Sequence, residues 1–324
     1  MLVRLLDWRD LALLHRMRKR GICLDSQMAL TSGPQALQAA LMDVFLPGNR
    51  TACTVVLRSD GAGEPAGIGQ FYITSDRGQA QLAFISPAEI LAGDEGLYLL
   101  DGIARMAGER GALTLVAEVG ETDDSFETLR KAGFAIYARQ RIWRLDGSLA
   151  ADVAANDQDW RPASSRDLLA VHGLYSNIVP ALVQQVEPPP VDNSHGLVYD
   201  KGDEILGYLD VQRGPNGTWV QPYFHPAAEL TDELLAGFIQ LLVSHGGKPL
   251  HICVRSYQGG LGGSFDRLGL QPFTDQAVMV KRLTAPVKRP VEQALPALEG
   301  TQPEPTAPFT TIERKESFPR SSRP

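Results

Sequence analysis

The sequence predicts an α/β fold laid down twice in tandem, and three observations carry that prediction. The first is a repeated ending. A buried strand, a short helix closed by glycine and a second strand occupy 115–119, 125–134 and 138–143, and the same order returns at 250–254, 264–270 and 277–280. Gly133 and Gly269 fit the left-handed residue that ends a helix, and Phe134 and Leu270 fit the apolar contact that follows it. The second is a repeated beginning. Arg9-Asp10-Leu11 and His15 return 157 positions later as Arg166-Asp167-Leu168 and His172, with Arg4 falling on Arg161 and Asp7 on Ser164. A cap, a charged pair and a histidine at one constant spacing support an internal duplication. The third is size and composition: 324 residues, 44% hydrophobic and 21% charged, are enough for two ordinary domains with a core each.

The elements follow in order. Residues 3–6 read as a first strand, and Asp7 to Asp10 has capping-box form ahead of a helical stripe of Leu11, Leu14 and Met17. Arg16, Arg18, Lys19 and Arg20 on that helix form either a solvated basic face or a wall that attracts an anion. A second helix is expected over 33–47, stopped by Pro47-Gly48-Asn49. Strands at 52–58 and 66–73 around a glycine-rich turn read as a hairpin, and 79–85 is a third strand. The second half repeats this at 196–199, 205–212 and 218–224. Amphipathic helices over 96–109 and 231–245 end at Gly111 and Gly246. The copies part at Glu187-Pro188-Pro189-Pro190, a loop where the first half has its second helix. The resulting division is 1–146, a polar joint at 147–159, 160–283, and a tail at 284–324. The tail is rich in proline and poor in apolar residues, which predicts disorder.

Composition narrows the function classes. A net charge of −7 and a pI of about 5.4 argue against a nucleic-acid partner held through phosphates. No apolar run approaches the ~18 residues of a membrane span, and the first residues lack a signal-peptide core, so a membrane partner is not expected. Cys23, Cys53 and Cys253 have no paired spacing, which points away from disulfides and zinc and toward a reducing cytoplasm. No His/Asp/Glu cluster has metal-ligand spacing. The loop from Tyr257 to Ser264 is rich in glycine but lacks the lysine and hydroxyl of a phosphate-binding P-loop.

The strand, helix, glycine, apolar, strand ending resembles the C-terminal part of the Gcn5-related N-acetyltransferase (GNAT) family, and the resemblance covers everything but the joint and the tail. It implies two tandem acyl-CoA N-acyltransferase domains. Each would be a mixed α+β sheet whose two central strands splay apart. Acetyl-CoA would sit in the gap as a substrate, with no tightly bound cofactor. The family holds the pyrophosphate on a glycine-rich loop after the fourth strand, where helix N-terminal N–H groups face the anion. In the first half that loop runs from Ile85 to Leu97, so Ile85, Leu91, Ala92, Gly93, Asp94, Glu95, Gly96 and Leu97 are the candidate cofactor contacts. The family's leading Arg/Gln is missing, and Asp94 and Glu95 stand where they would repel the anion. The second half keeps Pro226 but has no glycine and several acids, so the first half is expected to be the cofactor-binding one.

The family's tyrosine, four residues before the helix-ending glycine, is replaced by Leu129 and Phe265, which have no proton to give. Tyr137 and Tyr257 are the nearest substitutes. The base that deprotonates the amine is expected to be Glu118, with Glu89 next; a strand glutamate beside the gap would have a raised pKa if desolvated. Glu118, Glu89 and Tyr137 are therefore the candidate catalytic residues. The implied function is acetyl transfer from acetyl-CoA to an amine of a small molecule, a peptide or a protein. The chain would work as a monomer whose two halves mimic a dimer. The alternative is a tandem protein of the same fold that binds a ligand or a protein without catalysis.

Overall fold

Each half opens with the same small device, a strand, a one-turn 3-10 helix and an α-helix locked by an arginine. The computed structural model describes residues 1–17, 19–33, 52–58, 65–74, 78–149, 156–190, 195–202, 204–243 and 247–283. The helix expected over 33–47, Gly246 and the tail from 284 lie outside them. All described residues belong to one compact unit, Met1–Pro286.

The first half runs β1 (Leu2–Leu5), α1 (Leu11–Met17), β2 (Ile22–Cys23), α2 (Ser26–Ser32), β3 (Ala52–Arg58), β4 (Pro65–Thr74), β5 (Gln79–Ser86), α3 (Asp94–Glu109), β6 (Thr114–Val119), α4 (Asp124–Lys131) and β7 (Ala135–Leu145). The second half runs β8 (Trp160–Pro162), α5 (Leu168–Ile178), α6 (Ala181–Gln184), β9 (Leu197–Lys201), β10 (Glu204–Arg213), β11 (Thr218–Phe224), α7 (Asp232–Val243), β12 (Leu250–Arg255), α8 (Gly262–Arg267) and β13 (Gln271–Arg282).

The duplication seen in the sequence is physical. Asp10 accepts the Asp7 N–H at 2.9 Å and pairs with Arg4 at 2.7 Å. Asp167 accepts the Ser164 N–H at 2.7 Å and pairs with Arg161 at 2.8 Å. The helix-ending glycines are left-handed, with φ of +88° at Gly133 and +87° at Gly269. The next residue turns back in both, Phe134 N–H to the Leu129 carbonyl and Leu270 N–H to that of Phe265.

The strands form one continuous sheet in the order β1-β3-β4-β5-β6-β13-β7-β12-β11-β10-β9-β8, with β2 attached to β5. The last strands are exchanged between halves: β13 lies between β6 and β7, and β7 pairs with β12. Ala277 and Met279 therefore enter the core of α3 and α4, while Trp143 and Leu145 enter that of α7 and α8. Strand alternation sends Val116, Ala138, Val278 and Val280 to the opposite face, under α5 and α6. Gln140 and Gln276 are cross-strand partners, and they stand 136 positions apart, as Gly133 and Gly269 do. The pseudo-twofold axis of the duplication thus passes through this glutamine pair. Helix α2 also crosses between halves. Leu30 packs against Ile142, Trp219 and Cys253, and the Thr31 carbonyl accepts the Asn216 N–H at 2.8 Å.

Candidate active site

Two gaps open in the sheet, one per half. β5 and β6 run parallel only from Gln79/Thr114 to Gln81/Val116, and β11 and β12 only from Thr218/Leu250 to Val220/Ile252. Beyond those three-residue contacts the strands part.

The first gap holds the chain itself. Ile22 and Cys23 pair with Ile85 and Phe84, the Leu24 N–H bonds the Ala83 carbonyl at 2.9 Å, and the Glu118 N–H bonds the Leu24 carbonyl at 2.9 Å. The segment from Gly21 to Ser26 thus bridges both strand edges, and Leu24 is fully buried. Two local features put it there. Gly21 lies so close that a Cβ would sit 2.0 Å from the Phe84 ring and 2.7 Å from the Ile85 carbonyl. Asp25 then caps α2, accepting the Met28 N–H at 3.0 Å and the Tyr72 hydroxyl. Glu118 is buried, and its Oε2 accepts the Ser26 N–H at 2.8 Å. Burial, and then the nearby Asp25, push its pKa up; burial likewise raises Asp25 and Tyr72.

The candidate cofactor loop packs onto its own half. Ile85 is buried in the pairing with Ile22, and the Leu91 carbonyl accepts the Thr128 hydroxyl from α4. Gly96 lies against the turn before it, where a Cβ would stand 2.6 Å from the Ile90 carbonyl. Ala92, Gly93 and Asp94 are exposed, and Glu95 and Leu97 are half-buried. Glu89 is exposed on that turn and 3.5 Å from Arg20; its own backbone N–H and then Arg20 hold it below the usual carboxylate range.

The second gap is lined differently. No strand pairs with the facing edges of β11 and β12 beyond Val220 and Ile252 among the described residues. The segment reaching this region carries Pro188, Pro189 and Pro190, which have no N–H to give a ladder. Its last non-proline residue, Glu187, is held by Arg255 at the end of β12 and by the Tyr137 hydroxyl at 2.5 Å, both on Oε1. Tyr175 donates to the Glu187 carbonyl. Tyr223 is buried and Tyr257 half-buried, and Cys253 is fully buried, with its thiol pushed up to about 12. Burial also keeps Tyr137, Tyr223 and Tyr257 well above their usual values. Burial works against the Arg255 charge, but Glu187 and other neighbours more than offset it. The first turn of α7 is closed by its own chain. Thr231 accepts the Leu234 N–H at 3.3 Å, and Arg267 grips Asp232 at 2.6 and 2.8 Å, holding that carboxyl down to about 2.

A line of hydrogen bonds joins the two gaps through the pseudo-axis. Ser26 Oγ donates to Gln276 Oε1 at 2.9 Å, Gln140 Nε2 donates to the same oxygen at 2.9 Å, and Arg255 Nη1 donates to Gln140 Oε1 at 2.7 Å. Glu118 is therefore at one end, Tyr137 at the other, and Glu89 outside the line. Sequence reasoning missed Arg255, Glu187 and both glutamines. The available signals were an arginine ending an apolar strand and an acid heading a proline run. It also missed α2, which Asp25 announces as a cap. On the α4 and α8 side of the axis, a cavity of about 650 Å³ lies between the loops that follow β6 and β12.

A duplicated mixed sheet with a gap in each half is a tandem GNAT fold. A GCN5-related N-acetyltransferase from Sphaerobacter thermophilus is similar over 87% of this chain and 95% of its own, with a TM-score of 0.56 at 15% identity. A tandem GNAT protein from the clavulanic acid biosynthesis pathway, solved without AcCoA, is similar over 87% of this chain and 98% of its own, with a TM-score of 0.52 at 14% identity. No protein-family profile matches the chain, and no curated protein does. Among the described residues no helix is long and apolar enough to cross a membrane, and no group of three or more His, Cys, Asp or Glu is placed to hold a metal ion.

Proposed function

We propose that the protein is an acyltransferase that takes one acetyl-CoA per chain, in the second gap, and passes the acetyl group to an amine of a small molecule or peptide. The asymmetry of the gaps supports this reading. The first is spanned by Gly21 to Ser26, hydrogen-bonded to both strands, and does not fit the cofactor. The second keeps a strand edge without a ladder partner among the described residues and is ringed by Tyr223, Tyr257, Arg255 and Glu187. An acetyl thioester would supply the activated acyl group there. Glu187 is the carboxylate of this gap. Tyr137 and Arg255 hold it through Oε1, which leaves Oε2 to take the proton of an amine. Tyr223 and Tyr257 keep their hydroxyl protons at the pH of the reaction. Glu118 acts in this reading as a positioning residue that anchors the start of α2. Because both halves share one sheet, the working unit is a single chain.

One observation favours binding without catalysis: Thr231 already accepts one N–H of the α7 N-terminus that would face a pyrophosphate, and Asp232 and Glu233 place two carboxyl groups in that turn. Titration calorimetry of the full chain with acetyl-CoA, followed by CoA release in the presence of amines, separates the readings. One site per chain with CoA release supports transfer, and one site without release supports the binding protein. Two sites, or none, contradict the one-gap reading.

A further inference from the structure

The cavity on the pseudo-axis belongs to neither gap, and its chemistry is specific. At about 650 Å³ it falls within the size range of small-ligand pockets. Two arginine–carboxylate pairs stand in its lining. Arg141 meets Asp275 through Nε and Nη2 at 2.6 and 2.7 Å, and Arg139 meets Glu121 through Nε at 2.5 Å and Nη2 at 3.4 Å. A guanidinium has five N–H donors and a carboxylate about four acceptor positions, so each paired group keeps unused capacity. All four side chains are also open to solvent, from 41% for Glu121 to 65% for Asp275. Trp143 supplies a flat wall, with Arg141 5.9 Å from its ring centre. Arg255 lines the same cavity, so the cavity reaches the end of β12 that borders the second gap.

This lining discriminates by charge. A polyanion would meet Glu121 and Asp275, and a cation without an acid would meet Arg139 and Arg141. A ligand with both an amine and a carboxylate satisfies both sets while each ion pair stays intact. Gln258 and Arg255 also line the cavity, and the Gln258 carboxamide and Arg255 Nε are buried without a hydrogen-bond partner among the described residues. We infer that this cavity binds a zwitterionic amine, of the class of a free amino acid or a short peptide. Its carboxylate meets Arg139 and Arg141, and its amine meets Glu121 and Asp275. This binding does not depend on the transfer reading above.

The test is titration of the full chain with the common amino acids and with counterparts that lack either the carboxylate or the amine. At least one amino acid is expected to bind about tenfold or more tighter than both of its counterparts. Arg141→Gln and Asp275→Asn should each weaken that binding by a similar factor, while Arg105→Gln, on the distant face of α3, should not. Circular dichroism of each variant checks that it is folded. Equal binding of amine-only or acid-only ligands, no binding by any amino acid, or binding indifferent to Arg141 and Asp275 overturns the site. Amino-acid binding without any acetyl-CoA binding would instead refute the transfer reading and leave this site standing.

Discussion

The two gaps share a topology and a three-residue parallel contact, yet among the described residues a segment pairs across one and none pairs across the other. The difference lies in the few residues after the first helix of each half. In the first half α1 stops at Met17, Gly21 permits close approach, and Ile22 to Leu24 have the N–H groups to pair with β5. In the second half α5 runs on to Ile178, α6 follows, and three prolines arrive where a pairing segment would be needed. On the proposed reading, a duplicated fold converts one copy of a site into a structural core and keeps the other as a cleft. Backbone hydrogen-bonding capacity decides which, more than any single reactive side chain.

The largest expected effect breaks the second gap. Arg255→Met leaves Glu187 without its cation and the Gln140 carboxamide oxygen without the guanidinium donor, and should cost about 3–5 kcal/mol in chemical denaturation. Next comes His251, buried, with its pKa lowered to about 4 by burial and by Arg144, while Asp146 acts the other way. A histidine held neutral by the fold contributes its stability above the ordinary value near 6.5, and that contribution is lost as pH falls toward 4. The loss should reach about 3 kcal/mol, and His251→Phe should flatten it in denaturation curves recorded across that window.

Two substitutions sharpen the account of the first gap. Gly21→Ala drives a methyl into Phe84 and the Ile85 carbonyl, and should cost about 1–3 kcal/mol by thermal or urea unfolding. Glu118→Gln has a signed pH signature. A carboxyl whose folded pKa is raised stabilises the fold while protonated and loses that contribution as pH rises through the folded value. The variant should therefore gain on the parent as pH rises, and a gain on acidification instead would refute the buried-carboxyl assignment. The smallest effect is Gly93→Ala. Its Cβ meets nothing within 4 Å, so stability should change by less than about 0.5 kcal/mol. Calorimetry should also find acetyl-CoA affinity unchanged, because the first-half loop is not the binding loop in this account.

Much of the framework was legible in the sequence. The repeated Arg-Asp-Leu starts and the Gly133 and Gly269 endings are local signals, set by caps and left-handed backbone, and they fold as the spacing predicts. The exchange of β7 and β13 was not legible. Both strands carry consecutive apolar residues, Ile142-Trp143 in β7 and Ala277 to Val280 in β13, and either partner satisfies the ladder, so the choice is made by tertiary packing. The polar line from Ser26 to Glu187 was hidden for the same reason. Gln140 and Gln276 look like ordinary strand glutamines until the exchange sets them side by side on the axis. Glu118 was visible as a strand acid, but its partner Ser26 lies 92 residues away.

The most direct test of the central claim is hydrogen exchange by mass spectrometry on the full chain, with and without acetyl-CoA. Residues 22–26 and 83–86 should be protected in the free protein and unchanged on addition. Residues 221–224 and 254–258 should gain protection. Protection gained instead at 22–26 and 83–86, as that segment gives way to the ligand, would place acetyl-CoA in the first gap and contradict the account.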